Sequence, residues 1–310
     1  MRITRYSSAG HDEWDKFVDQ SKNGVFLFRR DYLEYHADRF PDHSLMFYDG
    51  DELLALMPAT LSSGVLSSHA GLTFGGMVSN NNMKVGPMLE VFAELVEYVT
   101  GQGISRLIYK SVPHIYHRLP AEEDLYALFV NRARLVRRDV SSTVDMKQRL
   151  EFSKGRRYAL KQAQKHGVNV ARSFDFKTFM SIEEQLLVTK YDAKPVHSTA
   201  EIEMLAARFP DNIKLFAAHD EETMVAGVII YESAQVAHTQ YVGATETGKK
   251  IGALDLIIRY LLDDYYREKK YFDFGTSIEP GGLLNAGLIE NKQGFGGRAV
   301  VYDFYELDFH

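Results

Sequence analysis

Apolar positions along the chain fall into two similar successions of elements. In the first half, Ser44 to Tyr48 reads as a strand, Asp49-Gly50-Asp51-Glu52 has turn chemistry, and Leu53 to Thr60 returns. In the second half, Lys214 to Ala218, the turn His219 to Thr223, and Met224 to Glu232 repeat that hairpin. Turn residues between two apolar runs are the standard hairpin signal. A helix follows each time. Met88, Val91, Phe92, Leu95, Val96 and Val99 are spaced by threes and fours, and so are Ile251, Leu254, Ile257, Ile258, Leu261, Leu262 and Tyr265. That spacing puts one face of each helix in a core. Short apolar strands come next, Ser105 to Lys110 and Tyr271 to Phe274. Helices are also expected ahead of each hairpin, at Glu13–Ser21 with Arg30–Arg39 and at Phe176–Lys190 with Thr199–Arg208. Equivalent points lie ~165 residues apart, a repeat of pattern rather than of identity. Hairpins interleaved with helical crossovers predict an α/β fold with a mixed sheet. Leu61 to Met83, rich in Ser, Gly and Asn, takes no assignment and reads as one long ordered loop.

Composition narrows the class. A chain of 310 residues, 45% hydrophobic and 25% charged, is long enough for two domains and ordinary for a globular protein. Met1 to Arg5 holds no apolar run, so no signal peptide is expected. No stretch approaches the ~20 apolar residues of a membrane span. The absence of cysteine excludes disulfides, thiolate catalysis and Cys-ligated zinc, and fits a cytoplasmic protein. The eleven histidines form no H-E-x-x-H pattern, so no metal is expected. Net charge is −6, but between Arg132 and His166 eleven Lys/Arg face three Asp/Glu. A basic window in an acidic chain points to an anionic partner, or to a solvated helix face.

The most specific pattern lies at the C-terminal end. Lys269-Lys270-Tyr271-Phe272-Asp273-Phe274-Gly275-Thr276-Ser277 is followed by a Gly/Pro-rich break, then by Leu288-Ile289-Glu290-Asn291-Lys292-Gln293-Gly294-Phe295-Gly296-Gly297 and a strand-like Arg298–Phe309. With the preceding amphipathic helix, this cassette resembles the C-terminal half of the Fem-type (FemABX) branch of the GNAT acyltransferases, and the related BioF-like acetyltransferase domains. The resemblance implies tandem duplicated GNAT-like domains. The first would cover 1–145 and be completed by the final strand near 300–310. The second, 146–300, would carry the active site. His69-Ala70-Gly71-Leu72-Thr73-Phe74-Gly75-Gly76 looks like the Gly-Gly segment of Fem-like first domains, which makes Gly75 and Gly76 candidate substrate-binding positions.

Each candidate site residue has a functional and a plain reading. Asp273-Phe274-Gly275 is not the kinase magnesium motif, because no Gly-rich loop and no His-Arg-Asp accompany it. Asp273 ends a central strand, where α/β sheets place their sites. It is a base, an amine-orienting group or a loop brace. The resemblance implies that Lys292 faces the donor's charge and the developing oxyanion, with Phe295 and Gly296 beside the donor; the plain reading is a lysine on a turn. Along Gln235–Val242, a period of two puts His238, Gln240 and Val242 on one face and Ala237, Thr239 and Tyr241 on the other. His238 or Tyr241 could deliver a proton, or could simply be packed. Ala244–Ala253 opens the second long helix, and a helix N-terminus suits phosphate. GNAT enzymes use this point for the pyrophosphate of coenzyme A. Lys249, Lys250 and Gly252 fit that pattern in part, while Leu254 stands where Gly or Ala belongs. On a helix Ser153–His166, Arg157, Lys161 and Lys165 share a face, and Arg157 and Lys161 are candidate substrate contacts.

These residues lead to an N-acyltransferase that moves an acyl group from acyl-CoA to the amine of a small or sugar-linked acceptor. Such a transfer needs a base, an oxyanion donor and positioning, and no covalent acyl-enzyme. The second reading is a Fem-like aminoacyltransferase using aminoacyl-tRNA on a peptidoglycan precursor, with tRNA held by the 132–166 window. The third is a degenerate domain that only binds. Asp273, Lys292 and Tyr241 are expected around one cleft, approached by the Gly75-Gly76 loop.

Overall fold

A computed structural model describes every residue except 192, 193, 280 and 310. The chain divides into two compact units, Met1–Asp139 with Val301–His310, and Val140–Val300.

The first unit contains β1 (Arg2–Arg5), α1 (His11–Gln20), α2 (Arg30–Leu33), β2 (Leu45–Asp49), β3 (Glu52–Met57), β4 (Thr60–Ser62), β5 (Val65–Ser67), β6 (Val78–Ser79), α3 (Val85–Gly101), β7 (Arg106–Lys110), α4 (Glu123–Val130) and the start of β8 (Arg134–Asp145). Strands β1, β2, β3 and β6 form an antiparallel sheet in that order. The predicted stripe of α3 is buried, with Met88, Val91, Phe92, Leu95 and Val99 packed among Leu45, Phe47, Ala55 and Met57. Two expectations fail here. The helix expected over Arg30–Arg39 stops at Leu33 and gives way to a 3₁₀ turn at Glu34–His36. Pro41 disfavours helical backbone before it, and His36 and Phe40 instead pack on the backbone of Gly71. The segment Leu61–Met83 is not one loop: it takes part in β4 and holds β5 and β6, with β5 running parallel to β7.

The second unit contains the end of β8, α5 (Lys154–Lys165), β9 (Asn169–Ser173), α6 (Phe176–Tyr191), α7 (Thr199–Arg208), β10 (Ile213–Asp220), β11 (Thr223–Glu232), β12 (Val236–Ala244), α8 (Glu246–Ile251), α9 (Ala253–Tyr260), β13 (Tyr271–Thr276), α10 (Ala286–Gln293) and the start of β14 (Arg298–Asp308). Local chemistry sets several boundaries. Ser198 and Glu201 form a capping box at α7, and Ser153 caps α5. Strands β9 to β12 are antiparallel neighbours, β12 and β13 are parallel, and β13 returns antiparallel to β8. This is a mixed α/β arrangement.

One face of this sheet carries Ala226, Val228, Ile230, Ala237, Phe272 and Phe274, packed with Ile257, Ile258 and Leu261. The other face carries Gly227 and Gly243, and Phe179 of α6 lies against both. The continuous helix implied by Ile251 to Tyr265 is broken. Gly252, at φ +74°, ends α8 and starts α9. A Cβ there would stand 2.2 Å from the carbonyl oxygen of Ala159, so the close approach of α5 requires glycine. A π turn at Leu261–Tyr265 ends the run.

Candidate active site

The site follows from how β12 pairs. Against β11, Tyr241 lies opposite Ile229 and Thr239 opposite Ile230, so Gln240 is an extra residue. This β-bulge overturns the period-two assignment. His238 lies opposite Tyr231, and Gly243 opposite Gly227. Beyond the bulge the alternation is reset, so His238, Tyr241 and Gly243 share the face under α6. Val242 turns to the opposite face and packs on the core beneath α9. Against β13, the parallel pairing covers only Val236, Ala237 and His238 with Tyr271, Phe272 and Asp273. Beyond that point the two strands continue without pairing to each other.

Where the pairing ends, His238 and Asp273 sit side by side. His238 Nδ1 donates to Asp273 Oδ2 at 2.8 Å, which leaves Nε2 as the acceptor. The other carboxylate oxygen accepts from Thr143 Oγ1 at 2.7 Å and from the Ser141 hydroxyl. Thr143 is the direct antiparallel neighbour of Asp273 on β8. Asp273 is fully buried, and burial alone would raise its pKa. The hydrogen bond and charge of His238, with the two hydroxyl donors, outweigh burial and hold the carboxyl at about 2. Asp273 is therefore an ionised carboxylate that orients an imidazole.

Lys292, on α10, donates to the carbonyl oxygens of Gly275 and Thr276 at 2.8 and 2.7 Å. Burial lowers its pKa to about 8, against the opposing charge of Asp273. Gly275 has φ +73°, and a Cβ on it would meet His238 Cε1 at 3.1 Å. The turn from β13 to α10 thus places Gly275, whose carbonyl the lysine holds, beside the imidazole.

Tyr241 belongs to a neighbouring group on the same face. Its hydroxyl accepts from the backbone N–H of His197 at 3.1 Å and meets His197 Nδ1 at 2.7 Å. Burial, with a contribution from Glu183, pushes its pKa up to about 12. A cavity of about 630 Å³ lies alongside, lined by Ile182, Gln185, Leu186 and Thr189 of α6 and by Ala244 to Thr247 and Lys249.

The remaining candidates have other surroundings. Lys249 lines the cavity, and its ammonium is bonded to Glu246 at 2.6 Å. Lys250 is exposed. Gly252 serves the contact with Ala159 described above. Phe295 is 3% exposed, stacked on Phe274 and covered by the Arg156 guanidinium. It packs in the core of this unit with Phe152 and Phe274. Gly296, at φ +93°, would bring a Cβ within 2.7 Å of the Leu150 carbonyl oxygen. Gly75 and Gly76 lie in the first unit, where Gly75 N–H bonds the Lys110 carbonyl and a Cβ on Gly76 would strike Tyr109. Arg157 bonds Glu151 and the Phe152 carbonyl, and Lys161 is exposed on α5.

Four residues escaped the sequence reading: Ser141, Thr143, His197 and Glu183. The first three have partners set only by strand register or by a distant loop. Glu183 left a trace, since it stands between Phe179 and Leu186 at helical spacing on an otherwise apolar face of α6.

Residues 147–281 match the family model of the acetyltransferase (GNAT) domain. No curated protein matches the sequence. Solved structures share the fold. The crystal structure of FemX superposes with a TM-score of 0.68 at 10% identity, covering 98% of this chain and 97% of that one. The C-terminal domain of a putative lysylphosphatidylglycerol synthetase from Agrobacterium fabrum gives 0.63 at 10% identity, over 97% and 92%. A tandem GNAT protein from the clavulanic acid biosynthesis pathway gives 0.51 at 9% identity, over 100% and 98%. The duplicated mixed α/β architecture is thus that of tandem GNAT proteins.

Proposed function

We propose that the chain is a GNAT-type acyltransferase, on the match of residues 147–281 to the GNAT domain model and the fold it shares with FemX, and that it transfers an acyl group from acyl-CoA to the amine of a small or sugar-linked acceptor. The observation that carries the reading is the His238–Asp273 pair placed where β12 and β13 part. Unpaired strand backbone beside a fixed imidazole offers a thioester both hydrogen-bond donors and a base.

In this reaction the neutral amine nitrogen attacks the thioester carbonyl carbon. His238 Nε2 receives a proton from nitrogen, and ionised Asp273 stabilises the imidazolium through Nδ1. Lys292 gives two N–H groups to carbonyls and has a third for the oxyanion. The carbon–sulfur bond then breaks, and the coenzyme A thiolate leaves and is protonated. Within this reading, residues 1–145 with the last strand form the first domain, 146–300 form the catalytic one, and the protein works in the cytoplasm.

Acyl-CoA is favoured over aminoacyl-tRNA by how the basic window is used. Arg134, Arg137, Arg138, Arg149, Arg156 and Arg157 are each ion-paired to an Asp or Glu. Cations neutralised within the protein contribute little counterion release. The Fem-type fold and the exposed Lys154, Lys161 and Lys165 keep aminoacyl-tRNA as the second reading. The test is acetyl-CoA turnover against a panel of amines, read as free thiol. Amine-dependent thiol release supports the proposal. No thermal shift with any acyl-CoA, together with submicromolar tRNA binding, would replace it by the second reading.

A further inference from the structure

Glu183 is a buried acid that the dyad chemistry does not use. It is 6% exposed, and its Oε2 has no hydrogen-bond partner among the described residues. That oxygen lies over the backbone of Gly243, 2.6 Å from where a Cβ would stand, so a side chain at 243 would displace it. Both chains beside it wall the cavity: Ile182, Gln185 and Leu186 on its own helix, and Ala244 next along the strand. Burial raises its pKa to about 7. Among the described residues, the titratable groups placed near this spot are Tyr241 on β12, His197 bonded to it, Tyr231 on β11 beside the His197 ring, and Glu201 on α7. At the cavity rim, Lys249 and Glu246 are bonded to each other.

A buried carboxyl with one oxygen left without a partner is unfavourable, and a structural role would normally supply a donor. We propose that Glu183 recognises the acceptor's amine, binding it as an ammonium ion between α6 and β12, beside the cavity that its neighbours Ile182, Gln185, Leu186 and Ala244 line. This rests on the acyltransferase reading and adds to it a preference for charged amines over hydroxyl acceptors. Glu183 shares the sheet face with His238, so an amine held there is on the side of the base. The ammonium loses one proton before attack and a second as the amide forms. One ends on the coenzyme A thiolate and the other leaves through His238 to solvent.

The test needs no acyl donor. Binding of n-butylammonium chloride and of n-butanol to the full chain is measured by calorimetry at pH 7, in buffers of different ionisation enthalpy. The wild type is expected to bind the ammonium at least ~10-fold more tightly than the alcohol, about 1.4 kcal/mol. Binding should also release about half a proton, because a group of pKa about 7 is half protonated at that pH. Glu183→Gln should lose both effects while melting at or above the wild-type temperature. Should Glu183→Gln fail to fold, Glu183→Leu and the wild-type proton release decide the matter. An undiminished preference in either variant, or equal binding of both probes by the wild type, overturns the inference. Acetyl-CoA turnover separates the two proposals: turnover without ammonium preference sinks only this one, and ammonium preference without turnover sinks only the reaction.

Discussion

His238 and Asp273 are direct neighbours in the last registered pair between two parallel strands, and a 2.8 Å hydrogen bond joins imidazole Nδ1 to the carboxylate. Ser141 and Thr143 donate to the opposite oxygen. The two hydroxyls hold the carboxylate in place, and its bond to Nδ1 sets the imidazole tautomer, with Nε2 available as a base. Asp273→Asn keeps the shape and loses the charge. It should lower turnover by roughly 10² or more without weakening donor binding, since the base contribution is of that order. Steady-state kinetics with a fixed amine checks this, and an unchanged rate would remove the dyad from the mechanism.

The same carboxylate sets an acid limit on stability. Its folded pKa of about 2 lies below the ordinary value of about 4. A depressed carboxylate stabilises the fold above its unfolded pKa, and that stabilisation is lost as pH falls through the folded one. The window is therefore pH 4 down to 2, and the amount is about 2 kcal/mol. Urea midpoints of wild type and Asp273→Asn between pH 2 and 6 measure it. The two curves should converge at the acid end.

Lys292 has two separable duties. It ties the carbonyls of Gly275 and Thr276, and its remaining N–H is available to an oxyanion. Lys292→Ala should reduce turnover by ~10²–10³ if the second duty is real, and should reduce stability by about 1–3 kcal/mol through the first. Loss of stability with full turnover per folded molecule would leave it a brace. Its pKa of about 8 lies below the ordinary lysine value, so the charged form is disfavoured on folding. Its contribution to stability should accordingly rise between pH 8 and about 10.

Gly252 offers a check on whether its role is packing or phosphate binding. With φ +74° and Ala159 O 2.2 Å from any Cβ, Gly252→Ala should destabilise by about 2 kcal/mol or more. Acyl-CoA affinity of the folded fraction should be unchanged. Thermal melts with and without acetyl-CoA separate the two effects.

Arg157→Ala combined with Lys161→Ala distinguishes the donors. Arg157 is already paired with Glu151, so the double change should leave acetyl-CoA turnover within a few-fold. A steep salt dependence of tRNA binding that this double change flattens would show that the window carries phosphates.

The sequence was informative where a signal is local. The hairpins, the α3 stripe and the Ser198 cap depend on residues within a few positions of one another, and periodicity reads them. The cassette around Asp273 and Lys292 could likewise be singled out because its contiguous run of residues resembles that of the Fem-type branch. Where spacing misled, a single residue was responsible. Gln240 adds one position to β12, and every side chain beyond it changes face. The long helix was misread for a similar reason, since the apolar stripe runs straight across Gly252 while the backbone does not.

By itself the sequence determined the two hairpins and the order of the main helices and strands around them, the acidic balance with its basic window, and Asp273 and Lys292 as the residues to watch. Tertiary structure alone decided their company. The Ser141 and Thr143 hydroxyls, the imidazole of His238 and the Glu183 Oε2 left without a hydrogen-bond partner among the described residues come from strand register and helix packing. Those contacts join residues far apart in the chain, and the energy of burying a carboxylate depends on which donors arrive beside it. Tertiary structure gives Asp273 three donors and leaves one oxygen of Glu183 with none among the described residues, a difference that no pattern of neighbouring residues encodes.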